Sequence, residues 1–334
     1  MLSRPVSVAN NFYGERLTGD ARRIYDALVA DRARGIMRTS VAVDDAENVS
    51  ANASAALEAV NFGCAELFFV GKAGELSFDG RAVTLEHECI FPEDELDAYR
   101  EALDEAVESF AASVYYSDDR GVLERLNEML STTVTGVDGR EDVYGSAYAA
   151  LVIGEARCEG YTKAAQILLS RCGIPSVMAA GRARSSDGRE ENHAWTIAAV
   201  DGRDYSFDFT WNARRIAYGI PSQEYMFLPD SDMLREHFPM FEGYPKCTDA
   251  SATFWARHGG ELEFISDLAG VDIMPYGKHF FTMARLNEQI PPADERDFIF
   301  GMMQSELSPS SYGSLSGYTY NRALGVVTFY FLNE

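Results

Sequence analysis

The segment ENHAWTIAAVDGRDYSFDFTWN, residues 191–212, restricts the fold more than any other stretch of the chain. Its first half alternates, so His193, Trp195, Ile197 and Ala199 share one face of a strand. Asp201-Gly202 is a two-residue hairpin signal, because both central positions of a type I′ turn need a positive φ. DYSFDFTW then reads as the return strand. If Val200 pairs with Arg203, partners sum to 403, so Asp208 lies opposite Trp195 and His193 opposite Thr210. His193 and Asp208 become diagonal neighbours on one face, about 7–8 Å apart at the backbone. A carboxylate reaches an imidazole nitrogen across that gap. A three-residue loop would break the parity and a four-residue loop would keep it.

A second segment, GEARCEGYTKAAQILLSRCGIPS at 154–176, supplies a thiol. Gly154 allows a turn, Lys163 to Leu169 favour helix, and Cys172-Gly173 with Pro175 ends it. Cys158 therefore falls in the first turn of a helix of roughly four turns. The positive end of the helix dipole favours thiolate there, and the unpaired N–H groups suit an oxyanion. Cysteine is also a common core filler, and position alone does not separate the two roles. With His193 and Asp208, Cys158 fits a nucleophile, base and orienter in the order Cys, His, Asp.

Charge narrows the partners. The chain has 334 residues, with 52 acidic against 29 basic side chains and a net charge of −23. Such a body repels phosphate backbones and anionic lipid, which argues against nucleic acid and membranes. No apolar run is long enough for a membrane span or a leader, so the chain as it stands reads as cytoplasmic; a trimmed leader would place it outside. Residues 151–215 are nearly neutral, nine basic against eight acidic, an island where an acidic substrate is one reading and chance the other. Five cysteines, Cys64, Cys89, Cys158, Cys172 and Cys247, are an odd and sparse set that disfavours a disulfide framework, and with no CxxC pair among them a structural zinc site is disfavoured too.

The length suits two domains, or one with large additions. The divisions expected are an N-terminal mixed α/β region of unknown role over 1–140, a core over 141–245 and a C-terminal α/β extension over 246–334. Helices are expected over 20–35 and 93–111, and short strands over 64–90, broken at Gly71, Gly74 and Asp79-Gly80. The tail from 278 reads as strand, helix, strand, strand, ending in the buried strand VVTFYFL.

Taken in order, ARCEGYTKAAQILLSRCGIPS, NHAW, FDFTWN and the following YMFLPDSDMLREHF resemble the transglutaminase-like superfamily on the papain-type cysteine hydrolase scaffold, in a bacterial-type member, over about 144–240. The resemblance implies an α+β core with the nucleophile helix packed on an antiparallel sheet. It implies Cys158 as nucleophile, His193 as base and Asp208 as orienter. It further implies acyl transfer on amide bonds of a peptide or protein, with no metal and no other cofactor. The leading reading is a thiol peptidase or amidase acting through a Cys158 acyl-enzyme. The alternatives are a protein transamidase and a non-catalytic peptide-binding scaffold. The Cys158 backbone N–H is one expected oxyanion donor. Tyr148, then Tyr144, are candidates for a second, although both read more readily as aromatic core of the preceding helix. Trp195 either walls the cleft or packs inside. Glu159 either contacts substrate or caps the helix. Trp211 and Asn212 are expected to brace the Asp208 strand, Arg182, Arg184 and Arg189 to form an exposed basic link, and His237 and His258, lacking partners at metal spacing, to be structural or surface residues.

Overall fold

The structure is a computed structural model that describes residues 2–263, 265–286, 295, 297–299, 301 and 314–333. The chain begins with α1 (Gly19–Arg32), β1 (Arg38–Ala42), α2 (Val49–Gly63), β2 (Val70–Phe78), β3 (Ala82–Cys89), α3 (Leu96–Ser113) and α4 (Asp119–Thr133). Two short strands, β4 (Thr135–Gly136) and β5 (Glu155–Ala156), lead into α5 (Cys158–Arg171), β6 (Ser176–Arg184), β7 (Glu190–Val200), β8 (Arg203–Phe207) and α6 (Phe209–Arg214). Next come α7 (Asp230–Met233), β9 (His237–Pro239), α8 (Phe254–Arg257), β10 (Glu261–Leu262), β11 (Met274–Tyr276), β12 (His279–Leu286), β13 (Ser314–Asn321) and β14 (Val326–Leu332).

The fold is α+β, as expected. β8, β7, β6 and β9 form an antiparallel sheet in that order, and α5 packs on β6 and β7. The hairpin register is the one the Asp-Gly turn dictates: Val200 pairs with Arg203 and Thr196 with Phe207. Asp201 and Gly202 both take positive φ, 51° and 76°, as a type I′ turn requires. One apolar core joins Leu28 of α1, Phe69, Leu103 of α3 and Leu126 of α4 to Leu168 of α5 and Phe207 of β8. The acidic residues of α3 stay outside while Leu103, Val107 and Phe110 line its inner face. The N-terminal segments thus bury the side of α5 that the sheet leaves open. In the tail, β14 lies between β12 and β13 and is buried along nearly its whole length. Among the described residues no helix is long and apolar enough to cross a membrane.

Four local expectations change. Residues 64–69 are not strand. β2 instead runs through both glycines, because a Cβ on Gly74 would stand 2.7 Å from the Glu86 carbonyl oxygen and only glycine permits that approach. The return strand stops at Phe207, since Asp208 caps α6. Arg182 and Arg184 belong to β6, not to a loop, and both pair with Glu190 across the hairpin. The helix expected in the tail falls mostly outside the described residues.

Candidate active site

Cys158 opens α5 as its first helical residue, with Arg157 in extended conformation as the N-cap. The turn into it is made by Gly154 at φ 81°. Gly160 is required in the same turn, because a Cβ there would meet the Tyr144 carbonyl oxygen at 2.7 Å and the Ser146 carbonyl oxygen at 2.9 Å. Glycine therefore lets the helix tip press against residues 144–146. The backbone N–H of Cys158 is one of those that a helix start leaves without an intrahelical partner. The thiol is half-buried and lies at a cleft of about 810 Å³.

His193 and Asp208 meet beside it, although the β7–β8 ladder ends one pair earlier, at Thr196 and Phe207. The His193 Nε2–H donates to Asp208 Oδ2 at 2.7 Å, and both side chains are buried. The other ring nitrogen, Nδ1, is the one left for the Cys158 thiol, with which the imidazole interacts. Burial opposes a charge on His193, but the Asp208 carboxylate and the Cys158 sulfur outweigh it and raise the imidazole to about 10. Burial likewise opposes the charge on Asp208, and the His193 and His237 rings hold its carboxyl well below the usual carboxylate range. Asp208 is fixed through three donors. Its Oδ1 accepts the Trp211 N–H at 2.9 Å as the α6 N-cap bond, and its Oδ2 also accepts from His237 Nε2 at 3.0 Å.

His237 is therefore a site residue that the sequence reading set aside. It lies in β9, where Ala183 pairs with it across β6, and it is fully buried against Trp211 and Trp195. Burial lowers its imidazole below the ordinary histidine value. Only its place in the YMFLPDSDMLREHF segment hinted at this role. His258 sits elsewhere, 3.3 Å from Asp272. One ligand atom each of His193, Asp208 and His237 lies within 4.8 Å of the others, a spacing within reach of a single cation. Donors around one tetrahedral ion stand about 3.4 Å apart. Both imidazole–carboxylate contacts are shorter and would have to open, taking His193 from the thiol.

The remaining candidates separate. Glu159 lines the cleft but faces cations: Lys72, Lys163 at 3.0 Å and, farther off, Arg157 at 4.0 Å. Burial works against its charge, yet Lys163 and Lys72 lower it to about 2. Tyr148 packs with Phe68, Phe91 and Tyr99 in the core, away from the cleft lining. The Tyr144 ring lies over Gly139 and contributes its backbone carbonyl to the Arg157 N–H. Trp195 is buried with its ring edge-on to His237. Trp211 braces Asp208 through the backbone, and Asn212 ties the loop down through Asn127 and Tyr225. Sequence reasoning also missed one cleft wall: Asn61, Phe62 and Lys72 come from α2 and β2, opposite Arg182, Asn192 and Met240.

Residues 108–209 match the family model of the Transglutaminase-like superfamily. No curated protein matches the chain. Among solved structures, one described as a TGase is 13% identical with a TM-score of 0.31, over 58% of this chain and 55% of that one. Another, described as a "putative cysteine protease" from Cytophaga hutchinsonii, is 13% identical with a TM-score of 0.31, over 50% of this chain and 65% of that one. The chain thus spans between about half and two thirds of the length of these two structures.

Proposed function

From the premise that residues 108–209 belong to the transglutaminase-like superfamily, we propose that the chain is a cysteine-dependent acyl-transfer enzyme that hydrolyses amide bonds through a Cys158 acyl-enzyme. The observation that carries this reading is the His193–Asp208 pair, buried and 2.7 Å long, placed beside a thiol at the tip of α5. His193 Nδ1 takes the thiol proton, and Asp208 stabilises the imidazolium formed. The thiolate attacks the amide carbonyl carbon, and the oxyanion develops at the helix start, near the Cys158 N–H. His193 returns the proton to the leaving nitrogen as the C–N bond breaks. That leaves a thioester and a free amine. Water then loses a proton to His193, attacks the thioester and releases a carboxylic acid, while the proton passes to sulfur.

Hydrolysis is favoured over transamidation because the cleft wall includes the exposed Arg182, Asn192 and Met240, so water reaches the acyl group. His193 and Cys158 line the same cleft and interact electrostatically, which supports an enzyme over a scaffold. The other cysteines give a sharp contrast. Burial pushes the Cys64 and Cys247 thiols up to about 12, and it raises Cys89 and Cys172 as well. Limiting iodoacetamide near neutral pH, followed by peptide mapping, should label Cys158 first and lose that label in Cys158→Ala. Even labelling of the five cysteines would sink the proposal. A labelled primary amine entering a glutamine-rich protein, in place of amide hydrolysis, would convert it to transamidation.

A further inference from the structure

The cleft beside Cys158 carries a charge opposite to that of the chain around it. The protein has 52 acidic against 29 basic side chains. Yet three cations, Lys72, Arg157 and Arg182, line the cleft with one carboxylate, Glu159. That carboxylate is already taken. Its side chain is 10% exposed and faces Lys72, Lys163 at 3.0 Å and Arg157 at 4.0 Å. Asp142 stands nearby, with its Oδ2 accepting the Lys72 backbone N–H at 2.7 Å.

Two of the cations flank the proposed catalytic pair. Arg157 precedes Cys158, and Arg182 pairs across the strands with Asn192, which precedes His193. Arg157 is held in place, since it donates to the Gly139 and Arg140 carbonyls. Arg182 is looser. Its side chain is 61% exposed, and among the described residues its carboxylate partner is Glu190, reached through one nitrogen at 2.8 Å. The other oxygen of Glu190 accepts from two nitrogens of Arg184, at 3.1 and 2.6 Å. One acid thus serves two guanidinium groups, and an exposed pair of this kind is weak. Most of the Arg182 fork remains for a ligand, and such a fork matches a carboxylate. Alternation sets what lies beside it. Met178, Ala180 and Arg182 share one face of β6, with Ala194 and Asn192 opposite the last two on β7. The cleft floor is therefore apolar as far as Ala180 and Ala194 and cationic at Arg182.

We propose that the cleft selects peptides with an Asp or Glu within about two residues of the scissile amide, the Arg182 guanidinium receiving that carboxylate. The inference rests on the reading of Cys158 as a hydrolytic nucleophile and names the substrate class for it. Two residues of extended chain span about 7 Å, the reach of an arginine side chain.

A randomised peptide library, digested by the full chain and read by mass spectrometry, tests the proposal. The parent should cut peptides with Glu near the bond about fivefold faster than those with Gln there, the upper end for an exposed ion pair. Salt at about 1 M should erase most of that preference, since charges are then screened beyond about 3 Å. Arg182→Gln should lose the preference, and Arg182→Glu should reverse it in favour of Lys. Cys158→Ala supplies the background and should cut nothing. Equal cutting of Glu and Gln peptides by the parent would overturn the assignment while leaving hydrolysis at Cys158 intact. A preference that survives in Arg182→Gln, or that salt leaves untouched, would do the same. No cutting by the parent would overturn both readings. If neither Arg182 variant folds, the parent in low and high salt decides alone.

Discussion

Asp208 and Arg32 are both fully buried ionised side chains, and the chain treats them in opposite ways. Asp208 receives three N–H donors, two of them imidazoles that share its charge. Arg32 receives no counter-ion from the described residues, and its donors end on neutral oxygens and one imidazole nitrogen. A buried charge that the protein satisfies by itself orients its neighbours. One that it leaves without a carboxylate rests on neutral acceptors. The first belongs to the hairpin and its cap, the second to the layer that covers α5.

The sharpest way to break this contrast is Asp208→Asn. The amide keeps the size but loses the charge that both histidines face. Losing one partner of a buried pair typically costs about 3–5 kcal/mol, read here by urea denaturation. Amide hydrolysis should fall by about 10⁴-fold, as when the orienting acid of such a triad is neutralised. The pH dependence follows from the same pair. His193 is raised, so its contribution to stability is complete below about 6.5 and is lost as pH climbs through about 10. Asp208 is depressed, so its contribution is present above about 3.9 and is lost only as acid titrates the folded carboxyl. Stability of the parent should therefore decline from pH 7 to 9.5, and the decline should vanish in Asp208→Asn. An equal decline in both would detach it from His193.

Gly181→Ala attacks the same site through the backbone. A Cβ there would stand 2.1 Å from the Phe238 carbonyl oxygen, so β9 must move away from β6 and take the neighbouring His237 with it. Overpacking of this kind costs about 1–3 kcal/mol, measurable as a lowered denaturation midpoint with an unchanged slope.

His237→Phe sharpens the comparison further, because it keeps a ring against Trp211 while removing one donor from Asp208. In the proposed reaction His237 would touch no reacting atom and would act as a positioning residue. The expected result is a fall in kcat of about tenfold, the scale of one charge-assisted hydrogen bond, with KM unchanged. With Asp208 serving one imidazole, the alkaline limb of the rate profile should move upward. His237→Gln, which restores an N–H donor, should recover much of the rate. A loss in KM alone would mean that His237 shapes the cleft and does not steady the acid.

How much of this could be read beforehand depended on the range of the contacts. The His193–Asp208 pair was legible because an Asp-Gly turn fixes a register, and a register fixes which side chains share a face. Cys158 was legible because Gly154, Gly173 and Pro175 mark both ends of its helix. His237 was not, since it reaches Asp208 only through the pairing of β9 with β6, and three residues of strand carry no period. Asn61 and Lys72 arrive by packing between distant segments, which leaves no local trace. Tyr148 precedes a π-helical turn over Ala149–Ile153, so helical spacing did not foretell its direction.

Arg32→Met is expected to be the mildest of these changes and so tests the other half of the comparison. Two effects oppose each other in this variant. Methionine removes a buried charge with no carboxylate against it, and such replacements are often neutral or stabilising. It also strips donors from the Ile36 and Leu85 carbonyls and from Thr39, which costs something for every acceptor left unpaired. The net change should stay within about 1 kcal/mol by urea denaturation, well below the loss in Asp208→Asn. A loss as large as that of Asp208→Asn would show that Arg32 is a structural tie whose charge the surrounding backbone already satisfies. The contrast between the two buried ions would then disappear.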